Sequence, residues 1–288
     1  MTTSEIETKY RPTFGWLVSD TIAVAKRHIL KITRVPESLF FALIQPVMFV
    51  LLFAFVFGGA ITLSGNGASS AADYREYLIP GIFAQTVMFA VASITVGITE
   101  DANRGIMDRF RSLPMRPGAV LGGHTLASLF QNTLVLIILS ITGLLVGWRI
   151  RSSVADALLG YLLLATFAYA MTWIGAWIGL HMPSPEVAGT AGLAWIFPLT
   201  FASNVFTPIA TMPSWLQPIA LWNPVSCLAL ACRKLFGNPI PVFENSGHSF
   251  PEVHAVQMAF AYALLFLAIF APLAVRAFKT RNVGGLKA

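Results

Sequence analysis

Six long stretches of this chain, at approximately 38–61, 78–99, 119–147, 157–181, 187–211 and 254–275, contain no Asp, Glu, Lys or Arg. A helix of about 20 apolar residues crosses the hydrocarbon core of a bilayer. Backbone in that medium must satisfy its own hydrogen bonds, so stretches of this length are expected to be helices. They predict an all-α membrane protein with six transmembrane helices. Only 11% of the residues are charged and 56% are hydrophobic, with mean hydropathy +0.71, whereas soluble domains carry about 25% charged residues. So few charges cannot solvate the surface of a soluble fold of 288 residues. The net charge is +6. The basic residues cluster between the apolar stretches, which reads as membrane topology rather than a nucleic-acid surface.

Basic residues set orientation. With the N-terminus inside, fourteen of the nineteen Lys and Arg fall on the inner side. They are Lys9, Arg11, Lys26, Arg27, Lys31 and Arg34 before the first stretch, Arg104, Arg109, Arg111 and Arg116 between the second and third, and Arg276, Lys279, Arg281 and Lys287 after the sixth. Arg75, Arg149, Arg151, Arg233 and Lys234 are left outside. Both termini are therefore expected in the cytoplasm. The first 37 residues lack a short apolar core with a small-residue cleavage site, so no cleaved signal peptide is expected. The expected division is a cytoplasmic N-terminus at 1–36, a six-helix domain at 37–276 and a cytoplasmic tail at 277–288.

Three polar segments have structure of their own. Over 14–34, Phe14, Val18, Ile22, Ala25, Ile29 and Ile32 fall within an arc of about 80° on a helical wheel. Asp20, Arg27, Lys31 and Arg34 lie opposite. This predicts an amphipathic helix lying in the membrane interface with its basic face toward lipid phosphates, stopped by Pro36. Between the second and third stretches, Ile106, Phe110 and Leu113 share one helical face, with Arg104, Asp108 and Arg111 on another. A short helix over about 101–113, ended by Pro114 and Pro117, suits a groove on a partner. Before the last stretch, Pro213, Pro218 and Pro224 oppose a straight span, while Trp215 and Trp222 favour the interface. Residues 212–236 are expected to form a re-entrant or interfacial helical pair on the outer side. The Gly- and Ser-rich 62–77 is expected as an external loop. Gly143-x-x-x-Gly147 and Gly175-x-x-x-Gly179 would let helices approach closely.

Much chemistry is missing. No Gly-Lys dipeptide occurs, so there is no phosphate loop of the Gly-x-x-x-x-Gly-Lys type. No His-Glu-x-x-His occurs either. His248, Glu252 and His254 cluster in the last outer segment and read as solvated, so no metal site is expected. Cys227 and Cys232, five apart, face different sides of a helix and read as small apolar residues. The stretches carry no carboxylates of the kind that ion-coupled transporters and membrane enzymes bury. An ion-coupled secondary transporter or channel is the alternative reading and would need backbone-coordinated ions. The Phe residues Phe49, Phe53, Phe83 and Phe89 suit a hydrophobic cargo.

Two segments carry a family resemblance. One is Glu100-x4-Gly105-Ile106-x-Asp108-Arg109-Phe110-Arg111-Ser112-Leu113-Pro114-Met115. The other is Met212-Pro213-x-Trp215-Leu216-Gln217-Pro218-x4-Asn223-Pro224-x-Ser226, followed by Arg233. With the order of amphipathic helix, spans, charged short helix and broken excursion, the chain resembles the type-2 ATP-binding-cassette permeases, and among them the daunorubicin-resistance permease group. The resemblance implies a permease subunit without an ATPase site, in a bacterial plasma membrane, exporting a drug, lipid, glycolipid or polysaccharide. It implies a second permease as homodimer or heterodimer, and two cytoplasmic ATPase subunits that bind ATP and Mg. The 101–113 helix would be the coupling helix, with Glu100 at the inner end of the second span. Cargo would enter laterally past spans 1, 2 and 5. Membrane lipids, not nucleic acids, are the other expected partners.

Overall fold

The structure, a computed structural model, describes residues 14–34, 36–57, 71–112, 115, 117–241 and 249–280. Its described residues hold helices and turns and no strand. Helix α1 (Phe14–Arg34) and α2 (Pro36–Leu52, prolonged by a π turn over Phe53–Phe57) precede the long α3 (Ala71–Asn103). A short α4 (Ile106–Ser112) leads into α5 (Pro117–Val146) and α6 (Val154–His181). Then come α7 (Pro185–Ala194), α8 (Ile196–Phe201), α9 (Gln217–Trp222), α10 (Pro224–Phe236), the single turn α11 (Phe250–Val253) and α12 (Ala255–Thr280). Among the described residues four helices are long and apolar enough to cross a membrane: Ala72–Asn103, Gly118–Val146, Val154–His181 and Ala255–Thr280. Phe40–Val56 is a shorter apolar helix. The chain is thus an all-α, largely membrane-spanning protein.

Helix α3 is the axis of the bundle, packed against α6, α7 and α10. Its closest neighbour is held by glycine. A Cβ on Gly175 would lie 2.4 Å from Ile94 Cγ2 and 2.6 Å from the Val91 carbonyl, and one on Gly179 would lie 2.6 Å from the Thr95 carbonyl. The backbones are near enough for Thr95 Oγ1 to donate to the Gly175 carbonyl (3.1 Å) and Thr99 Oγ1 to the Gly179 carbonyl (2.9 Å). Gly179→Val must push the helices apart and is expected to destabilise by ~1–3 kcal/mol. A clear fall in the thermal midpoint in detergent would report it. Gly97, where an added Cβ meets nothing within 4 Å, is expected to accept alanine with little change.

Three boundaries differ from the expectations. Helix α3 begins at Ala71, inside the expected 62–77 loop, with Tyr74, Glu76 and Tyr77 buried. The Gly- and Ser-rich run ends before Asp73, Arg75 and Glu76, which the helix takes in. In the fold Glu76 takes a two-pronged pair from Arg151 (2.6 and 2.8 Å), and Arg75 lies over the Phe55 ring. The expected span 187–211 is broken: α7 stops at Ala194, α8 at Phe201, and the chain runs irregularly to Pro208. Pro198 has no N–H to continue the ladder, and an uncharged break is invisible to hydropathy. The expected 101–113 helix is also divided, between α3 and α4, at Arg104-Gly105.

The irregular stretch 202–208 lies against α3 and α10, where backbone is tolerated only if protein satisfies it. Side chains do so. Tyr77 Oη donates to the Asn204 carbonyl (2.7 Å) and Tyr74 Oη to that of Phe206 (3.2 Å). Asn223 Nδ2 donates to the carbonyls of Leu199 and Ala202, while its Oδ1 caps α10 at the Val225 N–H. Ser226 Oγ accepts from the Asn204 N–H. Arg233, 0% exposed, donates to the carbonyls of Tyr77, Asn204 and Val205, and its guanidinium lies 3.6 Å from the Tyr77 ring centroid. A Cβ on Gly81 would stand 2.5 Å from the Val205 carbonyl, so only glycine lets this strand of chain lie so close.

Candidate functional site

Two places carry functional geometry. The first is the end of the bundle bearing α4. Helix α3 closes with Arg104 N–H on the Glu100 carbonyl and Gly105 N–H on the Ala102 carbonyl. Gly105 then turns the chain at φ +69°, a left-handed conformation that costs other residues about 1 kcal/mol. Helix α4 follows at an angle that this turn sets. Its Met107 is buried, Ile106 and Asp108 are half-buried, and Phe110 is half-buried with Arg27 of α1 5.4 Å from its ring centroid. Arg109 and Ser112 are exposed, as is Arg104, which pairs with Glu100 at 2.5 Å. The expected apolar ridge thus turns partly inward, Met107 and Phe110 packing on the apolar cluster that holds Ile98, Val120, Leu121 and Phe278, and the outward face of α4 is polar. Arg111 belongs to α4; Leu113 and Pro114 lie outside the described residues.

Three elements meet behind α4. His124 Nε2 of α5 lies 3.4 Å from the Asp101 carboxylate of α3, His28 Nε2 of α1 lies 3.8 Å from it, and the two imidazoles are 3.8 Å apart. The donor atoms all fall within 4.8 Å of one another. Among the described residues this is the one group of His, Cys, Asp and Glu side chains spaced to take a metal ion. The contact of α1 with α5 is close: a Cβ on Gly123 would lie 2.5 Å from Val24. Asn103 Nδ2 donates to the Pro183 carbonyl, joining the turn between α6 and α7 to the same end (3.0 Å). In that turn Ser184 caps α7, and its hydroxyl holds the exposed Glu186 carboxyl below the ordinary carboxylate range. His28 and Asp101 were not among the sequence candidates. The lone histidine in an otherwise uncharged run, His124, was the available signal. Of His248, Glu252 and His254, read from the sequence as solvated, Glu252 is buried. Glu252 closes a capping box with Ser249, the His254 ring packs on Phe250, and His248 lies outside the described residues.

The second place is a cleft of about 210 Å³ between α2, α3 and α5, edged by Leu193 of α7. Phe49 and Phe89 line it, with Gln45, Gln85, Thr86, Ser93, Gln131 and Asn132. Gln85 is 1% exposed and neither its Oε1 nor its Nε2 is hydrogen-bonded, an arrangement that costs ~1–3 kcal/mol for a buried amide. Pro46 lacks the N–H that would serve the Ala42 carbonyl, and both residues line the cleft. The other two candidate phenylalanines pack elsewhere. Phe53 stacks on Phe206 (4.4 Å). Phe83 is 0% exposed, edge-on to Trp148 (5.2 Å) and Phe236 (6.1 Å) in the core. Of the expected re-entrant residues, Trp215 is exposed, Asn223 works in the carbonyl cage and Pro224 opens α10.

Residues 19–237 match the ABC-2 type transporter family. The chain is 29% identical over 272 residues to the daunorubicin resistance ABC transporter permease protein DrrB1 of Streptomyces coeruleorubidus, covering 94% of this chain and 90% of that one. It is 19% identical over 226 residues to the probable doxorubicin resistance ABC transporter permease protein DrrC of Mycobacterium tuberculosis (77% and 79%). Over 159 residues it is 23% identical to the probable multidrug ABC transporter permease YbhR of Escherichia coli (53% and 41%). A family match across most of a largely membrane-spanning all-α chain leads to one assignment: the protein belongs to the ABC-2 type transporter family, as a membrane permease subunit that performs no catalysis itself.

Proposed function

We propose that this chain is the permease of an exporter that moves a hydrophobic or amphipathic molecule, of the drug, lipid or glycolipid kind, out of or across a bacterial plasma membrane. A separate cytoplasmic ATPase supplies the energy and holds the ATP and Mg. In this reading the α4 end faces the cytoplasm, both termini lie inside, and the chain crosses six times, with α2 and the broken α7–α8 segment as two of the crossings. Helices α9 and α10 form the re-entrant pair on the outer side, and two permease subunits sit over two ATPases. The carrying observation is the site of α4. It follows a glycine-set turn directly at the end of α3, packs Met107 and Phe110 on the apolar cluster of the crossing helices with Arg27 of α1 over the Phe110 ring, and leaves Arg104 of the turn and its own Arg109 and Ser112 exposed. Force on that short lever passes into α3, and through the Asp101, His28 and His124 contacts into α1 and α5. The basic bias of the same end supports its orientation. The relatives named for daunorubicin and doxorubicin resistance support efflux.

The test is capture. A tagged chain extracted from its native membrane is expected to retain a cytoplasmic ATPase, and the complex to show vanadate-sensitive ATP hydrolysis. A chain that carries cargo in liposomes without ATP, and holds no ATPase, would overturn the reading in favour of a secondary transporter.

A further inference from the structure

We propose that the cleft between α2, α3 and α5 binds the uncharged, hydrogen-bonding end of an amphipathic cargo, a head of hydroxyl, carbonyl or amide groups bearing neither phosphate nor ammonium. The proposal rests on the export-permease reading for calling the occupant cargo. Three observations carry it. The lining contains no Asp, Glu, Lys, Arg or His, so an ionised head would enter a site at membrane depth with nothing to neutralise it. The lining is nonetheless polar, with four carboxamides, Gln45, Gln85, Gln131 and Asn132, around Thr86 and Ser93. And the deepest carboxamide is idle: Gln85 is 1% exposed with donor and acceptor both unused. Buried amides are nearly always paired, and a carboxamide answers best to a partner that both accepts and donates, as a hydroxyl or amide does.

The local bonds sharpen this. Thr86 and Ser93 commit their hydroxyl protons to the carbonyls of Ile82 and Ala90 and keep acceptor capacity, while Asn132 commits one Nδ2 proton to the Ser128 carbonyl. The carboxamides retain donors as well as acceptors, so the wall answers groups that do both, as sugar or polyol hydroxyls do. Size agrees as well. The cleft's 210 Å³ is below the roughly 300–1,000 Å³ of sites that enclose a whole drug-sized ligand. It takes a head, while an apolar body lies along the exposed side of α2, where Phe41, Ile44 and Met48 are uncovered.

Photolabelling of the full chain in membrane vesicles tests this with a diazirine-bearing decyl glucoside. Label is expected on 42–49, 85–93 and 131–135. Decyl glucoside is expected to compete at about tenfold lower concentration than decyl phosphate or decyltrimethylammonium. Gln85→Leu is expected to cut labelling about tenfold. Ser93→Val at the exposed rim, which keeps the cleft interior intact, is expected to cut it severalfold and serves if the Leu variant fails to accumulate. Label spread over all lipid-facing helices, equal competition by the charged amphiphiles, or labelling unmoved by the accumulating variants would overturn the proposal. Labelling needs no ATPase. A chain that labels as expected but captures no ATPase keeps the site and loses the export reading, and the converse keeps the permease and removes the site.

Discussion

Replacing Arg233 by leucine is expected to leave little folded protein in the membrane. The guanidinium is fully buried and serves the carbonyls of Tyr77, Asn204 and Val205 from one planar group, with its face on the Tyr77 ring. Leucine supplies none of these donors. Each buried carbonyl left short costs ~1–3 kcal/mol, so the loss is a large part of the ~5–15 kcal/mol that holds a domain together. Lysine is expected to rescue poorly, because an ammonium cannot donate in the directions of a fork and lie flat on a ring at once. Arg149 is the control: it is exposed and donates to the carbonyls of Leu144 and Trp148, and Arg149→Leu is expected to change little. The amount of monodisperse protein recovered in detergent, with its thermal midpoint, reads all three. An unshifted midpoint for Arg233→Leu would mean that the irregular stretch 202–208 does not depend on the cage.

The second large effect is expected at Phe110. Its ring is half-buried under Arg27 of α1 and packs on the apolar cluster that holds Ile98, Val120 and Phe278. An aspartate there loses the apolar packing and the attraction between Arg27 and the ring's π face, and it frees α4 to swing about Gly105. Phe110→Asp is expected to insert in the membrane at parental levels, since this ring only borders that cluster and belongs to no crossing helix. It is expected to lower capture of the ATPase at least about tenfold, which corresponds to ~1.4 kcal/mol of docking free energy. Transport is expected to fall with it. Undiminished capture would show that the placing of α4 on α1 is irrelevant to docking.

What could be read from the sequence followed from how local each feature is. The amphipathic arc of α1 and the long uncharged runs of α3, α5, α6 and α12 repeat within a few turns and need no partner to be seen. Gly105 was visible as a residue, but the left-handed turn that divides α3 from α4 was not, since helical periodicity carries through one glycine. The break near Pro198 was hidden because it is uncharged: its carbonyls are satisfied largely from Tyr74, Tyr77, Asn223 and Arg233, far away in sequence, so the chain needs no charged residue of its own there. The contact of His28, Asp101 and His124 likewise joins three helices, and no spacing rule links them. Of the four phenylalanines singled out for cargo, only Phe49 and Phe89 line the cleft, because composition cannot tell a wall from a core. Gln85, on which the cleft depends, is one uncharged residue in an apolar run and carries no sequence signal of its own. Only the neighbouring helices reveal that its amide is unused.

Sidedness is the claim on which the rest stands, and labelling at two positions measures it directly. With Cys227 and Cys232 replaced by alanine, Arg109→Cys and Ser214→Cys are each treated with a membrane-impermeant maleimide, in intact cells and in inverted vesicles. The account predicts that position 214 reacts in intact cells, and that position 109 reacts only in inverted vesicles, where added ATPase then protects it. Reaction of position 109 in intact cells would put α4 on the outside, beyond the reach of any cytoplasmic ATPase, and would contradict the account at its root.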